Sequence, residues 1–131
     1  MVVDTSALVA ILFGETESSR MIAAIVAADA RRVGAPTLVE ASAVMVAKKG
    51  PGGEIALDAL LERLDLEVVP MTADGAVHAR NAYRQFGKGV GTPGVLNYGD
   101  CLSYGVARQL GERLLFKGDD FPRTDVEPAE Y

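Results

Sequence analysis

Two stretches near opposite ends of the chain decide the fold: Met1-Val2-Val3-Asp4-Thr5-Ser6 and Leu114-Leu115-Phe116-Lys117-Gly118-Asp119-Asp120-Phe121. Each is a short apolar run that ends at a carboxylate. A short apolar run bounded by polar or turn residues is typical of a buried strand. Two strands that both end in Asp predict one site at one edge of a sheet.

Between these stretches, helical and strand patterns alternate along the chain. Helices are predicted at residues 6–13, 17–31, 37–49, 54–65, 72–86 and 97–110. Strands are predicted at 1–4, 33–36, 66–70 and 113–116, with one further short edge strand near 124–126. The glycine-rich stretch 87–96 should be a mobile loop. The alternation predicts an α/β sandwich with a mostly parallel sheet of four to five short strands, and no linker divides residues 1–131 into two domains.

The composition limits what kind of protein this is. Its 131 residues are about one domain's worth, and 49% hydrophobic residues suffice for one core. No apolar run approaches the roughly 20 residues of a membrane span, and the start lacks the basic region of a signal peptide, so a cytoplasmic protein is expected. Cys101 and His78 are the only residues of their types, which excludes an internal disulfide and a Cys- or His-rich metal site. The net charge of −5 argues against non-specific DNA binding but fits acids gathered around a divalent cation.

Four places in the sequence deliver a carboxylate to the same predicted rim. Asp4 follows the first strand, and Glu40 lies in the first predicted turn of the helix after the second strand. Asp100 lies in the first turn of the helix that follows the glycine-rich loop, and Asp119 and Asp120 follow the last main strand. Helix N-termini and strand carboxyl ends share one edge in such a fold, which is where ligands bind.

Each acid also has a purely structural interpretation. Thr37-Leu38-Val39-Glu40 fits a capping box, Asn97-Tyr98-Gly99-Asp100 is a similar cap, and Asp4 and Asp119 could be turn residues. Four carboxylates at one rim, however, repel one another unless a cation offsets their charge. Oxygen ligands without His or Cys partners indicate Mg²⁺ or Mn²⁺, and such a site can cleave a phosphodiester bond without a protein nucleophile.

The pattern as a whole resembles PIN-domain ribonucleases, and among them the VapC toxins of type II toxin–antitoxin modules. The resemblance rests on four segments that occur in the right order and cover nearly the whole chain: Val2 to Ala7, Thr37 to Glu40, Asn97 to Tyr104, and Leu114 to Phe121. No single segment is specific, but the four together are a strong signal.

The resemblance implies a three-layer α/β/α sandwich and an endoribonuclease that depends on Mg²⁺ or Mn²⁺ and cuts RNA, often tRNA or rRNA. It also implies a homodimer and a small VapB-like antitoxin that blocks the groove. By position, Asp4 and Asp100 match the principal metal ligands of the family. Glu40 matches the third acid, as a ligand or a water-positioning group, and Thr5 or Ser6 matches the small hydroxyl beside the first acid.

The fourth acid departs from the family pattern, which often reads Thr-Asn-Asp-x-Asp-Phe. Alignment on Phe121 places Gly118 at the first Asp of that pattern and Asp120 at the second, while Asp119 is displaced by one residue. Either acid could serve as an outer-shell or second-metal ligand. Asp120 is slightly favoured, and one or two metal ions both remain open.

Basic residues near the predicted rim offer contacts to RNA phosphates: Arg84, Lys88, Arg113 and Lys117. Lys88 lies in the glycine-rich loop, which could close on RNA. The predicted substrate-binding residues are therefore Lys88 and Lys117, together with the hydroxyls of Thr5 and Ser6. The alternative for the basic residues is a solvated surface with no function.

Other functions of an acidic strand-end site fit the residues less well. A non-hydrolytic Mg²⁺-binding module of the phospho-receiver type needs a neighbouring acid pair after the first strand and an acceptor Asp after a central strand. Here Thr5-Ser6 follow Asp4, and Val68-Val69-Pro70 ends without an acid. A phosphatase with a nucleophilic Asp needs a second acid where Ser6 stands. A binding partner that has lost catalysis would not need the acids that this chain retains.

Overall fold

In a computed structural model of residues 1–131, the core is a four-stranded sheet in which every neighbouring pair is parallel. The strands are β1 (Val2–Val3), β2 (Arg32–Gly34), β3 (Glu67–Val69) and β4 (Leu114–Leu115), in the spatial order β3-β2-β1-β4. The predicted mostly parallel sheet of four to five strands is confirmed. The edge strand expected near 124–126 is wrong, because a short 3₁₀ turn occupies Phe121–Arg123 and the tail pairs with Leu114 only at Pro128.

Six α-helices surround the sheet. They are α1 (Thr5–Leu12), α2 (Ser18–Ala27), α3 (Ala35–Lys49), α4 (Pro51–Arg63), α5 (Ala73–Phe86) and α6 (Tyr98–Leu110). The break between α3 and α4 is shorter than the expected stretch 50–53. Gly50 alone separates them, with φ of 67°, because Pro51 can open a helix at its first position and the next two glycines join the first turn.

The helices form one layer on each face of the sheet. Alternate strand residues point to opposite faces, so Val2 and Leu114 belong to one apolar cluster and Val3 and Leu115 to the other. The first cluster includes residues of α5 and α6, and the second includes residues of α1 to α4. The three-layer α/β/α arrangement is thereby confirmed. None of the helices combines the length and hydrophobicity that crossing a bilayer requires.

The stretch 87–96 returns the chain from α5 to α6, and hydrogen bonds close it at its base. The Lys88 N–H donates to the Leu96 carbonyl at 2.8 Å, and the N–H groups of Val95 and Leu96 donate to the Phe86 carbonyl at 2.7 and 2.9 Å. Val95 and Leu96 are buried, whereas Lys88 and Val90 are exposed. The base of the loop is thus part of the folded core, and mobility of its exposed part stays a prediction.

Candidate active site

Asp4 lies directly after β1 and caps the N-terminus of α1. Its Oδ2 accepts the Ser6 N–H at 2.9 Å and the Ser6 hydroxyl at 2.6 Å. Its Oδ1 has no hydrogen-bond partner, although the residue is only 2% exposed. A buried carboxylate oxygen without a partner costs free energy, which a bound cation offsets. Asp4 therefore presents an atom suited to a ligand.

Ser6 connects the carboxyl ends of β1 and β4. Its hydroxyl donates to Asp4 and accepts the Lys117 N–H at 2.9 Å. Both bonds are internal to the protein, so the geometry makes Ser6 a positioning residue that holds Asp4 with Oδ1 unpaired. Thr5 is also buried, and its Oγ1 lacks a hydrogen-bond partner.

Asp100 lies in the first turn of α6, where it forms a capping box with Asn97. The Asp100 N–H donates to Asn97 Oδ1 at 2.8 Å, and the Asn97 N–H donates to Asp100 Oδ2 at 2.9 Å. The capping interpretation of this residue is correct, but the cap uses only Oδ2. Burial raises the pKa of the Asp100 carboxyl to about 6, with smaller contributions from Asp4, Asp120 and Glu40, while the Asn97 N–H opposes the rise.

Glu40 lies in the second turn of α3 and not in its first turn. The expected capping box from Thr37 to Glu40 is wrong, because the helix begins two residues earlier, at Ala35. The Thr37 hydroxyl instead lies 3.0 Å from the hydroxyl of Ser103. The Glu40 carboxylate lies against Gly99, where an added Cβ would collide with Oε2. The missing side chain at Gly99 lets Glu40 approach the start of α6.

Asp119 and Asp120 both follow β4 and are exposed. Asp120 is close enough to raise the pKa of Asp100, as Asp4 and Glu40 are. The structure therefore brings these four acids to one rim, and a role for Asp119, the sequence neighbour of Asp120, stays a prediction.

Asp4, Glu40, Asp100 and Asp120 define the acidic rim. No three His, Cys, Asp or Glu side chains of the protein surround a common point closely enough to hold a metal ion. The carboxylates share an edge without meeting at a common centre. Two features nevertheless suit a hard divalent cation: every available donor is an oxygen, and Asp4 Oδ1 is buried and unpaired.

The predicted track of basic residues is only partly present. The Lys117 ammonium pairs with Glu15 and, at 3.3 Å, with Glu17, and this pairing raises its pKa. Arg113 precedes β4, at the opposite end of that strand from Asp120, and pairs with Glu127 at 2.9 Å. Its expected place beside the acids is therefore wrong. Lys88 is exposed on the loop after α5 and has no ion-pair partner.

Sequence reasoning missed two features of the site. Gly99 makes room for Glu40, and the only signal was a glycine in a helical first turn, where glycine lowers helix propensity. The bond from the Lys117 N–H to Ser6 joins residues 111 positions apart, and no local pattern announces it.

Comparison with known proteins gives one family and a set of close relatives. A family model described as "PIN domain" matches residues 1–127. The chain is 46% identical over 126 residues to "VapC ribonuclease Mb0640" of Mycobacterium bovis. The aligned region covers 96% of this chain and 95% of that protein. It is 43% identical over 129 residues to "Ribonuclease VapC28" of Mycobacterium tuberculosis, with 98% of this chain and 97% of that protein covered.

Solved structures share the fold at low sequence identity. Mycobacterium tuberculosis VapC20, described as a sarcin-ricin loop cleaving toxin, superposes with a TM-score of 0.75 at 18% identity and covers 95% of each chain. VapBC2 from Rickettsia felis, bound to a DNA fragment from its promoter, gives a TM-score of 0.75 at 18% identity, with 98% of this chain and 96% of that chain covered.

Proposed function

The chain belongs to the PIN domain family, and from that premise we propose that residues 1–131 form one PIN domain that acts as an endoribonuclease toxin of the VapC type. Relatives at 43% and 46% identity over nearly the full length are named ribonucleases, which supports hydrolysis of RNA phosphodiester bonds. The observation that carries the proposal is the buried Asp4 with its unpaired Oδ1, on the rim it shares with Glu40, Asp100 and Asp120.

We assign a divalent cation, Mg²⁺ or Mn²⁺, to this rim. Asp4 and Asp100 would hold it, with Glu40 and Asp120 as further oxygen donors. The cation would polarise a phosphoryl oxygen of the RNA and lower the pKa of a bound water. The donor set agrees with this assignment, because hard cations of this kind prefer carboxylate oxygens.

The chain's own residues would orient the reacting groups. Ser6 fixes the Asp4 carboxylate, and the Asn97 cap fixes one oxygen of Asp100 while the other is left out of the cap. Glu40, held in the space that Gly99 leaves, would orient the attacking water and accept its proton. Asp119, next to Asp120 in the sequence, is the alternative fourth acid of this arrangement.

Two partners belong to the proposal. The VapC names of the relatives, together with the fold shared with VapBC2 of Rickettsia felis, support a small VapB-like antitoxin as a neutralising partner. A homodimer follows from the resemblance to VapC toxins, and Val39 on α3 and Ile55 on α4, which are 69% and 68% exposed, are exposed apolar side chains on one face of the protein.

The proposal is tested by cleavage of a mixed tRNA and rRNA pool with purified, antitoxin-free protein. Discrete products are expected with Mg²⁺ or Mn²⁺, and none with EDTA or with Asp100→Asn. Asp58→Asn is the matched control, because Asp58 is exposed on α4 and makes no ion pair. Cleavage that persists in both EDTA and Asp100→Asn would contradict the assignment.

A further inference from the structure

A cleft of about 550 Å³ lies between α5 and the first turns of α6. Its walls are mostly apolar and include Tyr83 and Val90 from α5 and its following loop, and Tyr98, Cys101 and Leu102 from α6. The volume is within the range of about 300–1,000 Å³ that is typical of small-molecule sites. Of the residues predicted above to have a function, only Arg84, expected to contact RNA phosphates, lines it.

The cleft and the acidic rim lie on opposite flanks of the start of α6. A helix turns by about 100° per residue, so Tyr98, Cys101 and Leu102 lie within one arc and Asp100 faces away from it. The distance across a helix with its side chains is about 10 Å. An RNA strand with its reacting phosphate at the rim could therefore cross the helix start and place a neighbouring nucleotide over the cleft.

Two aromatic side chains of the cleft are open to solvent. Tyr98 is 74% exposed and Tyr83 is 40% exposed, and Val90 beside them is 59% exposed. Unpaired bases of single-stranded RNA stack on exposed aromatic rings, and stacking does not require a particular base. The wall of the cleft thus offers the surface that a base would use.

The charged groups of the cleft are exclusively cationic. Arg80 and Arg84 line it, no carboxylate does, and neither arginine takes part in an ion pair. Of the thirteen Lys and Arg side chains, Arg32, Arg113 and Lys117 pair with glutamates, and the two arginines of the cleft are among the ten that do not. Two guanidinium groups without carboxylate partners beside an apolar wall are complementary to a phosphate that carries a base.

We propose that this cleft is a nucleotide subsite for single-stranded RNA. A nucleotide near the cleaved bond inserts its base between the rings of Tyr98 and Tyr83. Arg80 and Arg84 bind the phosphate next to that base. The inference rests on the proposed ribonuclease function and adds to it the place where the substrate is held. Exposed aromatic rings beside two cationic side chains favour RNA as the occupant, and a second copy of the chain is the alternative that the test below distinguishes.

The test measures binding and not cleavage. Fluorescence anisotropy in EDTA gives the Kd of a labelled single-stranded RNA decamer of mixed sequence. Tyr98→Ala should weaken binding about fivefold to a hundredfold, because stacking contributes that much per base. Arg84→Gln should weaken binding and lower the slope of log K against log salt by about 0.7–0.9, the value for one phosphate contact. Exposed residues away from the cleft supply matched controls, Tyr131→Ala and Arg63→Gln, which should bind as the unmodified protein does.

A second arm identifies what occupies the cleft. An abasic RNA decamer, which has the same backbone but no bases, should bind the unmodified protein more weakly than the decamer with bases. On Tyr98→Ala the difference in Kd between the two RNAs should be smaller than on the unmodified protein, because the Tyr98 ring that stacks on the base is gone. Circular dichroism and thermal melting establish that each variant is folded.

Two results would overturn the subsite alone. One is an RNA Kd that is the same for Tyr98→Ala and the unmodified protein, with metal-dependent cleavage intact. The other is a dimer in sedimentation that Tyr98→Ala and Val90→Lys convert to a monomer with RNA affinity unchanged, since the cleft is then an interface between copies. Absence of RNA binding in EDTA by the unmodified protein, with metal-dependent cleavage intact, would also overturn the subsite alone. Absence of both binding and metal-dependent cleavage would overturn this inference and the ribonuclease proposal together.

Discussion

The Ser6 hydroxyl donates a hydrogen bond of 2.6 Å to Asp4 Oδ2, which leaves Asp4 Oδ1 buried and unpaired. The same hydroxyl accepts the Lys117 N–H at 2.9 Å. One side chain therefore connects the segments that follow β1 and β4, which carry Asp4 and Asp120. It also fixes which carboxylate oxygen faces a ligand, so the function of the rim depends on a residue that need not touch substrate.

Ser6→Ala should weaken metal binding more than it weakens the fold. Loss of a hydrogen bond that orients a metal ligand typically costs about 10–100-fold in metal affinity. Leaving the Lys117 N–H without a partner should lower the free energy of unfolding by about 1–3 kcal/mol. Calorimetric titration with Mn²⁺ and urea unfolding check the two values. Ser19→Ala, on the exposed face of α2, is the control, and a Mn²⁺ affinity equal to that of the unmodified protein would refute the role of Ser6.

Asp100→Asn should stabilise the metal-free protein at neutral pH. The pKa of this carboxyl is raised from 3.8 to about 6, mainly by burial, so its ionised form destabilises the fold above that pH. Asn keeps an oxygen that can accept the Asn97 N–H, so the helix cap survives. Allowing for partial exposure, a gain of about 1 kcal/mol is expected.

The sign of the pH dependence follows from the raised pKa. The folded protein binds a proton at Asp100 more tightly than the unfolded chain does. Above about pH 6 the free energy of unfolding of the unmodified protein is therefore lower than that of Asp100→Asn by the full amount, and this difference decreases as the pH falls towards 3.8. Urea unfolding in EDTA at pH 7.5, 6 and 4.5 measures this. A stability difference that does not shrink on acidification would contradict the explanation.

Gly99→Ala should impair cleavage while Gly52→Ala does not. A Cβ at Gly99 collides with the Glu40 carboxylate, so Glu40 must move away from the start of α6. Gly52 is also helical, and nothing lies within 4 Å of a Cβ added there. Gly52→Ala should raise stability by about 0.5–1 kcal/mol and leave cleavage intact. Cleavage rates and thermal melting of both variants provide the comparison; equal rates would show that the approach of Glu40 is not needed.

Local patterns predict the fold and the acids of the site because both depend on neighbouring residues. Apolar runs that end in Asp placed β1 and β4, and the glycine-rich loop before Asp100 placed the start of α6 at its Asn97 cap. Helix starts were less certain where proline was involved. Pro36 and Pro51 lie within first turns, so α3 and α4 begin earlier than the breaker residues alone indicate.

Pairings between distant residues could not be predicted in this way. Lys117 and Glu15 are 102 positions apart, and only the packed fold shows that the Lys117 ammonium forms an ion pair with the Glu15 carboxylate. Arg113 and Asp120 are close in sequence but lie at opposite ends of β4, so proximity along the chain misplaced the arginine. The space at Gly99 likewise depends on where α3 crosses α6.

Lys88 and Lys117 were both expected to bind substrate, and the structure gives them different environments. The Lys117 ammonium forms ion pairs with Glu15 and Glu17, whereas Lys88 is exposed without an ion-pair partner on the loop between α5 and α6.

Lys88→Gln should therefore weaken RNA binding and lower the slope of log K against log salt by about 0.7–0.9, the value for one phosphate contact. Lys117→Gln should leave that slope unchanged, because its ammonium already pairs with Glu15 and Glu17. Anisotropy titrations between 50 and about 200 mM salt measure both slopes. A lower slope for Lys117→Gln would show that RNA displaces the two glutamates and that this ammonium contacts a phosphate in the complex.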